Sequence, residues 1–495
     1  MAQPPQPTSL GSLAGPGKLS AVKDLLNKLA EDLVSASLRP QERDNFLEEL
    51  KVYGRDPSYA DPIFSKEGIE TLSKLAFDSP SDTTSRNAMR ILCNSLFLKP
   101  ETRQLFVDLG YEAKACIKLK NDSRDDEFLA SRLLLLTTYD TKIDLPALIS
   151  HHQLADSITQ NLSRHAARFS SPSGNTANSD PMEEMALAET LKLLFNVTNF
   201  AKAHINSFDT TLPHITTILC NHVLPQFKTP LEPVFGLLIN TLLNLDLTTP
   251  TAQSSIYPPT EPTRVANRLI QLLDLSMKSY TDTSLDQSVT PLICSLSVVY
   301  EHAKNDKDTG TDGTDTVRSF IRTTLLPTEE DRKKVLGRTD TLPSRLLRNW
   351  TNPLAPQFRS AVAHLYFDLS GKDAGQFIEN VGYGYASGFL FDNQIPIPAG
   401  AVEGGNGGGE GSSSEAARRR PVNPITGQFL DEERFPDFPE MTDEEKEREA
   451  ERLFILFERL RQTGVVSVEN PVATAVREGR FEELPDDDEL AEDVD

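Results

Sequence analysis

Cysteine is scarce in this chain. Four occur in 495 residues (Cys93, Cys116, Cys220 and Cys294), none in a CxxC pair, and each lies in an apolar run with helical spacing. That excludes a disulfide framework and a thiolate zinc knuckle, and predicts buried free thiols in a reducing compartment. Tryptophan is scarcer still, with Trp350 alone. Alternating β-branched runs joined by hairpin turns are missing, which excludes a sheet architecture. No uninterrupted apolar run approaches the roughly 20 residues needed to cross a bilayer, so no integral membrane segment is expected. The first residues, MAQPPQPTSLGSLAGPG, lack the apolar core of a signal peptide. A cytoplasmic protein is expected, with the sequons at Asn161 and Asn196 unused.

Catalytic constellations are lacking too. The eight histidines are scattered; His151-His152 is the one cluster, and no HExxH or G-x-S-x-G occurs. The acidic loop 305–316, NDKDTGTDGTDT, fails as a calcium loop. Counting from Asp306, Thr311 stands where glycine is needed and Val317 where glutamate is needed; counting from Asp308, the twelfth position is Ser319. GYGYASG (382–388) follows no strand, so a helix turn or a packing role is expected there. No metal, no cofactor and no catalytic residue are expected. Positive charge is also in deficit. Against 73 Asp and Glu stand 50 Lys and Arg, a net of −23. Asp431–Asp495 holds 23 acids and 8 bases, hence −15 of that total, which leaves −8 for residues 1–430. Phosphate binding needs a basic footprint, so nucleic acid is not an expected ligand. The acidic end reads as a solubilising tail or as a surface that steers a partner.

What is present is helix. Apolar spacing is helical from about Leu19 to Leu390, as in 25–34, 86–98, 183–200, 234–247 and 289–304. All-α is the expected class. RILCNSL (90–96), KLLFNVT (192–198) and GLLINTL (236–242) share two apolar residues, any residue, then Asn, and Asn244 repeats the theme one turn on. Asn is a poor helix former because its amide competes for backbone bonds. Its recurrence suggests an amide reaching to the next repeat or to a ligand; a satisfied structural amide is the plainer reading. Such repetition is the habit of armadillo and HEAT arrays, whose helices stack into a solenoid with a concave groove.

Composition divides the chain. Residues 1–18 are expected to be disordered, 19–398 to form the armadillo/HEAT-like solenoid, 399–420 (AGAVEGGNGGGEGSSSEAARRR) to be a flexible Gly/Ser-rich linker, and 421–495 an acidic C-terminal region. Loops are expected at 170–181 and 248–262. The linker carries no Lys-Ser/Thr after its glycines, so it is no phosphate loop. It would let the tail search a radius of roughly 25 Å. In the tail an amphipathic helix is predicted over 442–463. Thr442 and Glu445 form a capping box, Arg459 and Arg461 sit in its last turn, and Gly464 ends it. Ala450, Leu453, Phe454, Phe457 and Leu460 make one stripe, widened by Ile455 and Leu456. The stripe either docks on the chain's own solenoid or meets a partner.

PVNPITG (421–427), the helix run MTDEEKEREAERLFILFERL, then TGVVSVENPV and EGRFEEL resemble the C-terminal region of synembryns. IENVGYGYASGFL (378–390) and LLPTEEDRKKVLGR (325–338) resemble the same family upstream. The resemblance covers most of residues 20–485 and points to a fungal-type member. It implies a cytoplasmic guanine nucleotide exchange factor and folding chaperone for heterotrimeric G-protein α subunits, acting at the cell cortex as well, on an armadillo/HEAT-type solenoid. The partner would be the GDP-bound and nucleotide-free α subunit, and the protein a monomer. An exchange factor needs no nucleophile, only tighter binding of the empty state. The resemblance further implies that the concave face takes the C-terminal helix of the α subunit. Arg86, Arg90 and Asn94 line one helix face at i, i+4 and i+8; Lys192, Asn196 and Asn199 follow in a later repeat, then Asn240 and Asn244. These are the expected polar ladder, with solvated charges and structural amides as the plainer reading. Arg345 and Arg348, beside Trp350, are further candidates near the solenoid end. On the tail, Phe435 and Phe438 read as extended anchors, and Leu453, Phe454 and Phe457 as a contacting stripe. The resemblance implies, for animal members of the family, phosphorylated acidic serine/threonine sites beyond the solenoid; here that stretch is the glycine linker, with only Ser412–Ser414 beside Glu410 and Glu415. Three alternatives stand beside this reading: a passive armadillo-type adaptor without exchange activity; a transport receptor, disfavoured by the single Trp; and, last, an enzyme.

Overall fold

The helices start where short polar side chains can accept the bonds that first-turn amides would otherwise leave unmade. Ser81, Ser123, Asp180, Thr341 and Asp373 each accept from an amide two or three residues on, and Pro181 stands in the first turn of its helix. The computed structural model describes residues 13–170, 180–224, 229–303, 317–398, 420–423, 425–433 and 448. Among them are 22 α-helices and, in place of any sheet, one isolated bridge between Val422 and Phe429. The class is all-α, as the apolar spacing predicts.

Seven helices form a row in which each packs on the next: Pro40–Tyr53, Asp82–Leu98, Arg124–Thr137, Pro181–Phe200, Val234–Asn244, Thr290–His302 and Pro356–Leu369. A second row, Leu154–Ser170, Leu212–Asn221, Arg264–Ser279 and Leu342–Asn349, runs beside it. This stacking of neighbour on neighbour is a helical solenoid. Arg124–Thr137 is its seam. Leu129 and Leu133 pack into the core cluster that begins at Val22, while Ala130 and Leu134 pack into the one that runs to Leu390. A helix covered on both sides has to be apolar nearly all round, and LASRLLLLT is.

Two boundaries differ from expectation. The first helix begins at Gly15, inside the stretch expected to be disordered, with Pro16 in its opening turn. The loop expected over 248–262 contains the helix Pro250–Ile256. Thr249 caps it, and Pro250 sits in the first turn, where a missing N–H costs nothing, so this proline starts a helix instead of stopping one. The glycines of 382–388 do mark a turn. Gly382, at φ 82°, separates Ala374–Val381 from Tyr383–Asp392.

The chain divides into two compact units, Met1–Glu432 and Glu433–Asp495. Residues 420–432 therefore go with the array; they run along it as a short strap. Phe429 N donates to Arg332 O at 2.8 Å, Gly384 N to Ile425 O at 3.1 Å and Leu336 N to Thr426 O at 3.3 Å. The predicted linker residues 399–419, the acidic loop 305–316, the tail helix 442–463 (Arg448 apart) and the anchors Phe435, Phe438, Leu453, Phe454 and Phe457 lie outside the described residues.

Candidate partner-binding face

The expected ladder residues do fall on one row. Arg86, Arg90 and Asn94 lie on Asp82–Leu98; Lys192, Asn196 and Asn199 on Pro181–Phe200; Asn240 and Asn244 on Val234–Asn244. Arg124–Thr137 packs between the first two of these helices, and Val234–Asn244 packs on the second.

The cations are not free arms. Arg86 and Arg90 are held by acids of the neighbouring helix. Arg86 Nε donates to Asp126 Oδ1 at 2.8 Å, and its Nη2 reaches the capping hydroxyl of Ser123 at 3.1 Å. Arg90 Nη2 donates to Asp125 Oδ1 at 2.8 Å and Nη1 to Asn87 Oδ1 at 3.2 Å. Asp125 and Asp126 stand in the first turn of Arg124–Thr137, where the helix dipole favours anions. Burial is the largest influence on Asp126 and pushes its carboxyl up, but the bonds from Arg86 and Asn121 and the charges of Lys118 and Arg86 outweigh it. The group is held below the ordinary aspartate range.

One repeat on, Lys192 Nζ and Arg132 Nη1 share a single acceptor, Glu189 Oε1, at 2.9 and 3.2 Å. Glu189 is only 4% exposed. Its other oxygen, Oε2, is buried and has no hydrogen-bond partner among the described residues. Arg132 also lies 5.9 Å from the ring centroids of both Phe97 and Phe128, within cation–π reach. Phe97 is 58% exposed, Tyr139 41% and Phe200 54%. They stand at the C-terminal ends of three successive row helices, Asp82–Leu98, Arg124–Thr137 and Pro181–Phe200. This face thus offers paired cations with donors to spare beside uncovered rings.

Several expected contact residues serve the array instead. Asn196 is buried, and its amide donates to Thr138 Oγ1 at 2.8 Å. Asn244 donates to Phe195 O at 3.1 Å, again across to the neighbouring helix. Both are inter-repeat amides, and a partner has no access to Asn196. Arg345 is buried; its Nη1 donates to Asp340 O at 2.7 Å and Oδ1 at 2.9 Å, and its Nη2 pairs with Asp274. It is a structural clamp between helices. Trp350 is buried against Tyr366, Phe377 and Tyr385 and belongs to the core. Arg348 is exposed, though it donates to Thr339 O at 3.0 Å. Asn94 is half-buried, and Asn199 is exposed. Asn240 lines a cavity of about 610 Å³ with Glu232, Tyr280 and Gln287.

Arg132, Glu189 and Phe97 are not among the residues expected from sequence. One signal is there. Phe97 continues the stripe Arg90–Asn94, seven and three residues on, as an apolar residue out of phase with the core. All four cysteines are free, as expected; Cys93 and Cys116 are buried, whereas Cys220 and Cys294 are only half-buried. No cluster of three metal-ligating side chains occurs among the described residues, and no described helix is long and apolar enough to cross a membrane.

The model of the family "guanine nucleotide exchange factor synembryn" matches residues 46–480, which is most of the chain. The chain belongs to the synembryn family. Similar curated proteins agree. The chaperone Ric-8A of Macaca fascicularis is 27% identical, over 89% of this chain and 85% of its own length. Ric-8A of Xenopus tropicalis is 25% identical, over 93% and 88%. A synembryn-like chaperone of Schizosaccharomyces pombe is 25% identical, over 77% and 70%. The family match takes in the three-helix face, the second row, the strap and the first row from Phe46 onward.

Proposed function

We propose that the protein is a guanine nucleotide exchange factor and folding chaperone for heterotrimeric G-protein α subunits. The observation that carries this reading is the family match over residues 46–480. The curated relatives, named as chaperones, favour the folding role beside exchange. The mechanism is differential binding. By linkage, a protein that holds the empty α subunit more tightly than the GDP-bound one weakens GDP by the same factor. No proton transfer or covalent step is involved, and the protein needs no catalytic residues of its own.

In this reading the α subunit offers an amphipathic helix to the row face. Arg90, Arg132 and Lys192 meet its acidic and carbonyl groups, and Phe97, Tyr139 and Phe200 meet its apolar side. The residues 434–495 act with the array, Phe435, Phe438, Leu453, Phe454 and Phe457 being the contacting groups. The protein works as a cytoplasmic monomer and binds both GDP-loaded and nucleotide-free α subunit, the latter more tightly.

The test is release of a fluorescent GDP analogue from purified α subunit. Release is expected to accelerate with added protein and to saturate. Unchanged release at saturating, demonstrably bound protein would leave the passive adaptor as the reading.

A further inference from the structure

Three of the stretches that carry the family resemblance, 325–338, 378–390 and 421–427, are far apart in sequence and meet at one place. Arg332 is at the centre. Its Nη1 donates to Gly427 O at 3.0 Å, and its Nη2 to Glu379 O at 2.9 Å and Asn380 O at 3.0 Å. One guanidinium therefore ties the strap to the C-terminal end of Ala374–Val381 through three main-chain oxygens. The turn that presents it is fixed from below. Asp331 is 1% exposed and accepts from Thr328 Oγ1 at 2.8 Å, Thr339 Oγ1 at 2.6 Å and Ser344 Oγ at 3.3 Å.

The strap is shaped for this seat. It folds on itself, Asn423 N donating to Gln428 O at 2.7 Å and Gly427 N to Asn423 O at 2.8 Å. Phe429 is 5% exposed, with the Arg420 guanidinium 4.1 Å from its ring centroid. Gln428 Nε2 donates to Lys333 O at 3.1 Å. Gly427 has φ 68°, and a Cβ there would lie 2.4 Å from Leu336 Cδ1. Any side chain at 427 is both conformationally strained and in collision.

We propose that Arg332 is a positioning residue which seats residues 420–432 on the array, so that the strap stays bound there even when the chain is cut between Pro398 and Arg420. While the seat holds, a cut between Pro398 and Arg420 leaves the two pieces associated; once it is lost, only the covalent connection keeps them together. Association of the two pieces stands on this geometry alone; its effect on exchange rests also on the function proposed above.

The experiment uses the full chain with a specific-protease site placed between Gly404 and Gly409. After cleavage the C-terminal piece is expected to co-elute with the array in gel filtration, and exchange to continue at the uncut rate. In Arg332→Ala the uncut protein is expected to keep its helicity and melting temperature, while the cut piece separates and exchange falls to the level of a chain ending at 420. Gly427→Val, which changes the strap and none of the helices, is expected to do the same should Arg332→Ala fold poorly. Arg332→Lys, with one point charge for a forked donor, should retain part of the co-elution. Separation of the unsubstituted cut protein, or retention in both variants, overturns the proposal. Co-elution that follows these rules while no form accelerates nucleotide release would sink the exchange reading and leave the seat intact.

Discussion

Glu127 Oε1 meets His165 Nε2 at 2.9 Å in the interior of the array, with both side chains buried. The same carboxylate accepts from Thr190 Oγ1 at 2.7 Å and Arg164 Nη2 at 2.7 Å, so one acid joins three helices. Burial is the largest single influence and pushes Glu127 up. The His165 bond and charge, with the bonds from Thr190 and Arg164, together outweigh it and hold the carboxyl below the ordinary glutamate range. A depressed carboxylate gives its full stabilisation above the unfolded glutamate value and loses it as pH falls through the native one. The melting temperature is therefore expected to drop on acidification below about pH 4.3. Glu127→Gln should flatten that acid limb and cost about 3 kcal/mol at neutral pH, as removal of a buried charge partner does. Melting curves across pH for both proteins check this; superimposable acid limbs would refute it.

Arg86 and Arg90 are expected to separate in their effects. Arg86 neutralises the buried Asp126, whereas Arg90 pairs with Asp125 at the half-exposed edge of the face. Arg86→Ala should lower stability by about 2 kcal/mol, Lys118 and Asn121 remaining beside Asp126. Arg90→Ala should cost about 0.5 kcal/mol or less, as exposed ion pairs do. Phe97→Ala, on an exposed ring, should likewise spare the fold, yet weaken α-subunit binding by about 1–2 kcal/mol in titration calorimetry, with Arg90→Ala beside it. Full affinity in the Phe97/Arg90 double variant would move the contact elsewhere.

The inter-repeat amides should show the opposite pattern. Asn196→Ala leaves the Thr138 hydroxyl without its donor in a buried site. It is expected to cost about 1–3 kcal/mol in urea unfolding. Partner affinity, measured under folded conditions, should move by less than about 0.5 kcal/mol.

Burial pushes the thiols of Cys93 and Cys116 up to about 12, so at neutral pH both are protonated and enclosed. Iodoacetamide on the native protein should leave these two unmodified, as peptide mass spectrometry reports, and should label all four cysteines after unfolding. Rapid native labelling of Cys93 would mean that Asp82–Leu98 opens locally.

The helices are readable in the sequence because burial and spacing coincide along most of the row. The Asn recurrence is readable too, and Asn196 and Asn244 do bridge repeats, though each reaches back to the preceding row helix and not on to the next. Local pattern cannot reveal what distant residues decide. Arg345 reads as a free cation until Asp274, 71 positions earlier in the chain, is seen to pair with it. The strap reads as part of the tail because Arg332 and Gly427, 95 positions apart, share no local signal. Pro250 is ambiguous because the same residue can end one helix or open another, and only the preceding Thr249 tells which. Arg132 escapes notice since a lone Arg among leucines reads as a snorkelling core neighbour.

The ion pairs that link Asp82–Leu98 to Arg124–Thr137 have a bearing on how the molecule can be cut down. Here one repeat leaves its guanidinium groups to be neutralised by the next, so it is not electrostatically complete by itself. A fragment ending near residue 120 would finish in two bare arginines and an uncovered apolar flank. Shortened versions of this protein will need a substitute end-piece, supplying both acids and a greasy lid, before they can stay in solution.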